Sequence, residues 1–92
     1  MSIVIDDITF NSVHYDAGGD VLYLQVDPAR TAADYDASPE GHALRFDAAG
    51  ALIGITIVDA KWILEHEGHV TITLPRQLDV DASTLGAALT AA

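Results

Sequence analysis

Cysteine is absent from the 92-residue chain, and lysine and arginine together number only 4. The first absence removes disulfides, thiolate nucleophiles and cysteine-ligated zinc at once. The second argues against nucleic acid as a partner. Arg30, Arg45, Lys61 and Arg76 lie far apart in sequence, and 14 acidic residues give a formal net charge of -10 that repels a phosphate backbone. Long hydrophobic runs are missing as well: the longest apolar-looking stretch, Ala51 to Val58, is far too short to span a bilayer. The opening Met1-Ser2-Ile3-Val4-Ile5-Asp6-Asp7 has neither the basic region nor the apolar length of a signal peptide, so the expectation is a cytoplasmic protein with no membrane contact. No segment has the composition of a linker, a repeat or a low-complexity block.

What remains is strongly apolar. Hydrophobic residues make up 50% of the chain, too many for a disordered acidic segment. The length allows a single small domain over residues 1–92 and excludes two. A core in so short a chain is marginal, which makes association with a second copy an expected source of extra burial.

Alternation with a period of two dominates. Val13 and Tyr15, then Leu22, Leu24 and Val26, flank Asp16-Ala17-Gly18-Gly19-Asp20, the pattern of a hairpin with a glycine turn. Leu44 and Phe46 alternate with Arg45 and Asp47; Asp47-Ala48-Ala49-Gly50 makes the next turn, and Ile53, Ile55 and Ile57 continue on one face. Val70-Thr71-Ile72-Thr73-Leu74 alternates aliphatic residues with threonine and stops at Pro75. Between the hairpins, Asp27 to Gly41 reads as a loop with room for a short edge strand around Ala32 to Tyr35.

Two segments have helical spacing. Ala60, Ile63 and Leu64 predict a short helix from Ala60 to Glu67, closed by Gly68. Leu85, Ala88 and Leu89 repeat the spacing after Asp81 or Ser83 as N-cap, giving a short alanine-rich helix or a frayed tail. The expected fold is therefore mainly β with short α: a single small antiparallel sheet built from hairpins, one short helix after the fourth strand, and a short C-terminal helix. In that fourth strand Ile53, Ile55 and Ile57 face one side while Leu52, Gly54, Thr56 and Val58 face the other, so both faces want cover. Val21 and Tyr23 extend the second face, and either the helices or a second copy would cover it. The expectation is a homodimer through one face of the sheet.

The stretches Tyr15-Asp16-Ala17-Gly18-Gly19-Asp20-Val21-Leu22-Tyr23-Leu24 and Phe46-Asp47-Ala48-Ala49-Gly50-Ala51-Leu52-Ile53-Gly54-Ile55-Thr56-Ile57-Val58 resemble, in order and spacing, the two motifs of the DUF2283 family. The resemblance covers residues 13 to 60. It departs at Thr56, where the family commonly has Glu, and at Lys61, where it commonly has Ser. It implies a small antiparallel β protein with no assigned activity. Some relatives look like partners of small toxin-like proteins, which would make this chain an inhibitory binder of a basic partner. The shared residues Tyr15, Asp16, Asp20, Tyr23, Asp47, Gly50, Gly54 and Ile55 read as structural. Gly18, Gly19 and Gly50 would supply positive backbone angles, and Asp16 and Asp47 would accept hydrogen bonds from turn amides. Gly54 would allow a bulge or a close approach, and Tyr15 and Tyr23 would pair across their hairpin.

Candidate chemistry is thin. His66, Glu67 and His69, with Glu65 before them, form the densest set of potential metal ligands, but the histidines stand three apart with Gly68 between, which is not the zincin pattern. A solvated helix end, with His66 near the C-terminal dipole, is the preferred reading. Asp16, Asp20, Asp47, His14 and His42 could serve acid–base work, yet most sit in turns, and Ser2, Ser12, Ser38 and Ser83 lie in no nucleophile elbow. Gly18-Gly19 lies between acidic residues and lacks the following lysine of a phosphate cradle. Trp62, the only tryptophan, is expected in the core, with an exposed interface anchor as the alternative. No catalytic residue and no cofactor is assigned, and the reading is a non-catalytic, acidic, homo-oligomeric interaction module, with a basic protein as a further partner.

Overall fold

The structure, a computed structural model, describes residues 2–73 and 77–90. Alternating residues form the strands β1 (Ile3–Ile5), β2 (Ile8–Phe10), β3 (Ser12–Asp16), β4 (Val21–Gln25), β5 (Asp34–Ala37), β6 (Ala43–Phe46) and β7 (Leu52–Val58). Helix α1 (Ala60–Glu67) follows, then β8 (His69–Thr73), β9 (Gln77–Asp81) and helix α2 (Ala82–Thr90). Both helices fall where their spacing predicts. The termination expected at Pro75 lies outside the described residues.

The single sheet expected from the sequence is corrected. There is a five-stranded antiparallel sheet of order β3-β4-β7-β6-β5, and two separate two-stranded hairpins, β1-β2 and β8-β9. Consequently α1 follows the seventh strand and not the fourth. The physical reason is length: three residues each in β1 and β2 are too few to establish a period. The edge strand expected near Ala32 to Tyr35 is β5, two residues further on.

The period of two sorts the five-stranded sheet into an inner and an outer face. Tyr15, Leu22, Leu24, Leu44, Ile55 and Ile57 point inward and are buried together with Ile3, Ile5 and Phe10 of the first hairpin, Val70, Ile72 and Val80 of the last, and Ala60, Leu85 and Ala88 of the helices. Full burial of each large aliphatic stabilises by roughly 1.5–3 kcal/mol, so the hairpins and helices are held as a cover over this one face. The helices thus roof the inner face. His14, Tyr23, Thr56 and Ala43 fall in register on the outer face, where His14, Tyr23 and Ala43 are exposed among the described residues.

Further expectations meet the structure here. Gly50 takes the left-handed conformation its turn requires, at φ 84°, and Gly68 does the same at φ 79° while its N–H donates to Leu64 C=O. In the first hairpin the left-handed residue is Asp20, at φ 55°, and neither Gly18 nor Gly19 has a positive φ. Tyr15 opposes Leu22 while His14 opposes Tyr23, so the two tyrosines lie on opposite faces and do not pair. Trp62 is 55% exposed and outside the core. No helix among the described residues is long and apolar enough to cross a membrane.

Candidate functional site

Two of the family-like residues, Tyr15 and Asp20, converge on the start of α1. Asp59 precedes this helix in a left-handed conformation, and its side chain caps nothing, which would leave the first turn's amides unsatisfied. Asp20, in the β3–β4 turn, supplies the missing acceptors. Its carboxylate accepts the Lys61 N–H at 2.8 Å and the Trp62 N–H at 3.1 Å, and its main-chain carbonyl accepts the Ala60 N–H at 3.2 Å. The Ile63 N–H donates to Asp59 C=O, completing the turn. The hydroxyl of buried Tyr15 donates to the same carboxylate at 2.7 Å.

Electrostatics follow from this contact. Burial pushes the Asp20 carboxyl up, but the Tyr15 hydroxyl, the two amides and the Lys61 charge outweigh it and hold the group below its ordinary value. Tyr15 is pushed up to about 12, chiefly by its hydrogen bond to Asp20 and then by burial. The positive end of the helix is already occupied by a carboxylate of the same chain, so Tyr15 and Asp20 fasten β3 and β4 to α1.

Asp47 does its work locally. Its carboxylate accepts the Ala49 and Ala51 N–H groups, both at 2.9 Å, and pairs with Arg30 from the preceding loop. Asp16 accepts the Gly18 N–H at 3.1 Å in the same manner. Gly54 matters for close approach: a Cβ there would lie 3.3 Å from Arg45 Cδ and 3.4 Å from the Leu24 carbonyl. Its bare backbone lets the Arg45 side chain lie across the outer face towards the Tyr35 ring, 5.8 Å from the centroid. The bulge, in turn, falls where the register shifts between Arg45 and Phe46. Ile55 is a core residue, 1% exposed.

The metal-ligand cluster separates. His66 stacks on Trp62 with centroids 4.1 Å apart, and its Nδ1 lies 2.8 Å from the Trp62 carbonyl. Glu67 and His69 instead line a cleft of about 140 Å³ with Glu40, His42, Ile63 and Thr71. That volume is below the roughly 300 Å³ where small-molecule sites begin. Among the described residues, no three histidine or acidic side chains stand where they could hold a metal ion.

His42, named only among general acid–base candidates, proves to be a buried structural residue. Its Nδ1 accepts the Val58 N–H at 3.2 Å, which places the ring proton of the neutral form on Nε2, and its main-chain N–H donates to Ser38 Oγ. Burial pushes the imidazole below its usual value against the pull of Glu40 and Asp59. Glu40 accepts the Thr73 hydroxyl at 2.7 Å and the Thr73 N–H at 2.9 Å, and these bonds hold its carboxyl below the ordinary range. Ser38, likewise buried, was not legible as such in the sequence, because its bonding depends on the turn that brings His42 back to it.

The outer sheet face is the remaining surface with unused chemistry. Tyr23 and Val58 are each 40% exposed and Tyr35 is 67% exposed, with Arg45 between them. Arg45 Nε is buried without a hydrogen-bond partner. His14 stacks beside Tyr23 at 6.0 Å, and with Ser12 and Gln25 these two line an open depression of about 310 Å³.

Comparison with known proteins adds one finding. The model of DUF2283, described as a protein of unknown function, matches residues 12–61. That match runs from the first residue of β3 to Lys61, whose amide Asp20 caps. No curated protein and no solved structure matches the chain.

Proposed function

We propose, from the premise that the chain belongs to the DUF2283 family, that it is a non-catalytic, acidic interaction module acting in the cytoplasm as a homodimer. The observation that supports this most is the open outer face of the five-stranded sheet, where Tyr23, Tyr35 and Val58 stand exposed around Arg45. Tyrosine and arginine are the residues most enriched at interface hot spots, and an Nε without a partner gains an acceptor when an interface closes over it.

Three of the titratable candidates, Asp20, Asp47 and His42, are engaged in holding the fold. Asp20 caps α1, Asp47 closes a turn, and His42 satisfies the Val58 amide. A net charge of -10 favours a basic protein as the further partner, in the manner of an inhibitor of a small toxin-like protein. The experiment is solution mass by light scattering over a hundredfold range of concentration. A mass of twice the 9.7 kDa chain at the upper end is expected, and a mass of one chain throughout contradicts the homodimer.

A further inference from the structure

The hydrogen-bonding phase of the five-stranded sheet decides which backbone groups are used and which are left over. The Val26 N–H donates to Ile53 C=O at 2.9 Å, in the same register that sets Leu24 opposite Ile55 and Leu22 opposite Ile57. In an antiparallel ladder hydrogen-bonded pairs alternate with non-bonded ones. The peptide groups of Val21, Tyr23 and Gln25 therefore turn towards β3, where Asp16, His14 and Ser12 oppose them. The two residues between, Val13 and Tyr15, direct N–H and C=O away from the sheet, and no described residue supplies a backbone partner for them.

The opposite edge follows the same phase and ends differently. The Ser38 N–H donates to His42 C=O at 2.7 Å, which makes Asp36 and Leu44 a hydrogen-bonded pair and turns the Tyr35 and Ala37 amides outward. Both of those amides are occupied. Asp34 accepts the Tyr35 N–H at 2.9 Å and Asp36 accepts the Ala37 N–H at 2.8 Å, so carboxylates blunt the β5 edge.

We infer that β3 pairs with β3 of a second copy, antiparallel about a two-fold axis through His14, to join two five-stranded sheets into one. This rests on the homodimer proposed above and seats it at the β3 edge, which leaves the exposed outer face around Arg45 to the further partner. The register centred on His14 uses every outward group of Val13 and Tyr15 in both copies, about four backbone hydrogen bonds, whereas centring on Tyr15 uses about half as many within the strand. It also matches side chains. Val13 meets the partner's Tyr15 on the inner side, and Ser12 meets the partner's Asp16 on the outer side, a hydroxyl donor against a carboxylate. With one edge open and the other blunted, pairing closes at two chains and does not propagate. The outer faces remain free and become one continuous surface.

The test exploits the absence of cysteine. His14→Cys places two thiols at a non-hydrogen-bonded pair about 4.5 Å apart at Cα, within disulfide reach. Under mild oxidation this variant is expected to form covalent dimer at least about tenfold faster than Tyr35→Cys, because pairing raises the effective thiol concentration. His14→Asp, which sets like charges across the axis on an exposed position, is expected to run at the mass of one chain, with a melting temperature equal to that of wild type diluted to one chain. Equal cross-linking at positions 14 and 35, or a dimeric His14→Asp variant, overturns the edge pairing while leaving the homodimer intact. A monomeric wild type overturns both.

Discussion

The two edges of the five-stranded sheet are built on opposite plans. The β3 edge, with α2 packed against its strand, leaves the Val13 and Tyr15 peptide groups without a backbone partner among the described residues. Tyr15 drives its ring into the core at 8% exposure and its hydroxyl onto Asp20, which in turn holds the first turn of α1. The β5 edge is closed and soft: all four of its residues are exposed, and its side-chain support is the Tyr35–Arg45 contact. Aspartate appears in both plans with contrary effects. Asp20 ties together elements 41 residues apart, whereas Asp34 and Asp36 each bond only the next residue's amide and so deny it to a neighbour. An edge that is pinned to the core can stay unpaired without fraying, and an edge without such an anchor is protected by local carboxylates.

Substitutions sharpen this contrast. Asp20→Ala removes an acceptor for three donors and leaves the start of α1 uncapped, so a loss of about 3 kcal/mol is expected in urea unfolding. Asp20→Asn, which tolerates the left-handed backbone, should lose less. Tyr15→Phe keeps the buried ring and removes one hydrogen bond to a charged group, an expected loss of about 1.5 kcal/mol. Equal losses from Asp20→Ala and Asp36→Ala would break the comparison, since the latter is expected within about 0.5 kcal/mol of wild type.

The pH response belongs to the same contrast. Tyr15 has a folded value of about 12 against an ordinary 10, so its contribution is complete below pH 10 and is lost as pH rises between those values. Asp20 works in the other sense: its depressed carboxyl stabilises above the unfolded value and loses that contribution as pH falls through the carboxylate range. His42, held neutral by burial, adds a loss as pH falls below about 6.5. Melting temperature against pH should show the alkaline loss in wild type and a much reduced one in Tyr15→Phe. The smallest effect on stability is expected from Asp34→Ala combined with Asp36→Ala, near wild type in melting temperature. That pair frees the β5 amides, so masses above two chains should appear in light scattering; a mass unchanged from wild type would argue that the carboxylates do not blunt the edge.

Much of the sheet was legible in sequence because its causes are local. Val13 to Val26 and Leu44 to Val58 carry their own period, and Gly50 and Gly68 mark turns that demand a positive φ. Reading failed where the cause lies far along the chain. Asp20 resembles any turn aspartate until α1 is brought against it, and then it takes the left-handed position that Gly18 and Gly19 were expected to fill. His42 looks like a surface histidine beside Glu40 and Gly41, and only the approach of Val58 buries it. Trp62 sits beside Ile63 in sequence, yet its place on α1 turns it outward to stack on His66. The potential ligands His66, Glu67 and His69 are adjacent in the chain and are split by the helix end between two surfaces.

The claim that one edge is open and the other closed is tested most directly by amide hydrogen exchange, resolved by residue and followed over concentration. Protection of the Val13 and Tyr15 amides should rise as dimer forms, while the Tyr35 and Ala37 amides stay unchanged. Concentration-independent exchange at Val13 and Tyr15, or protection gained at Tyr35 and Ala37, would contradict it.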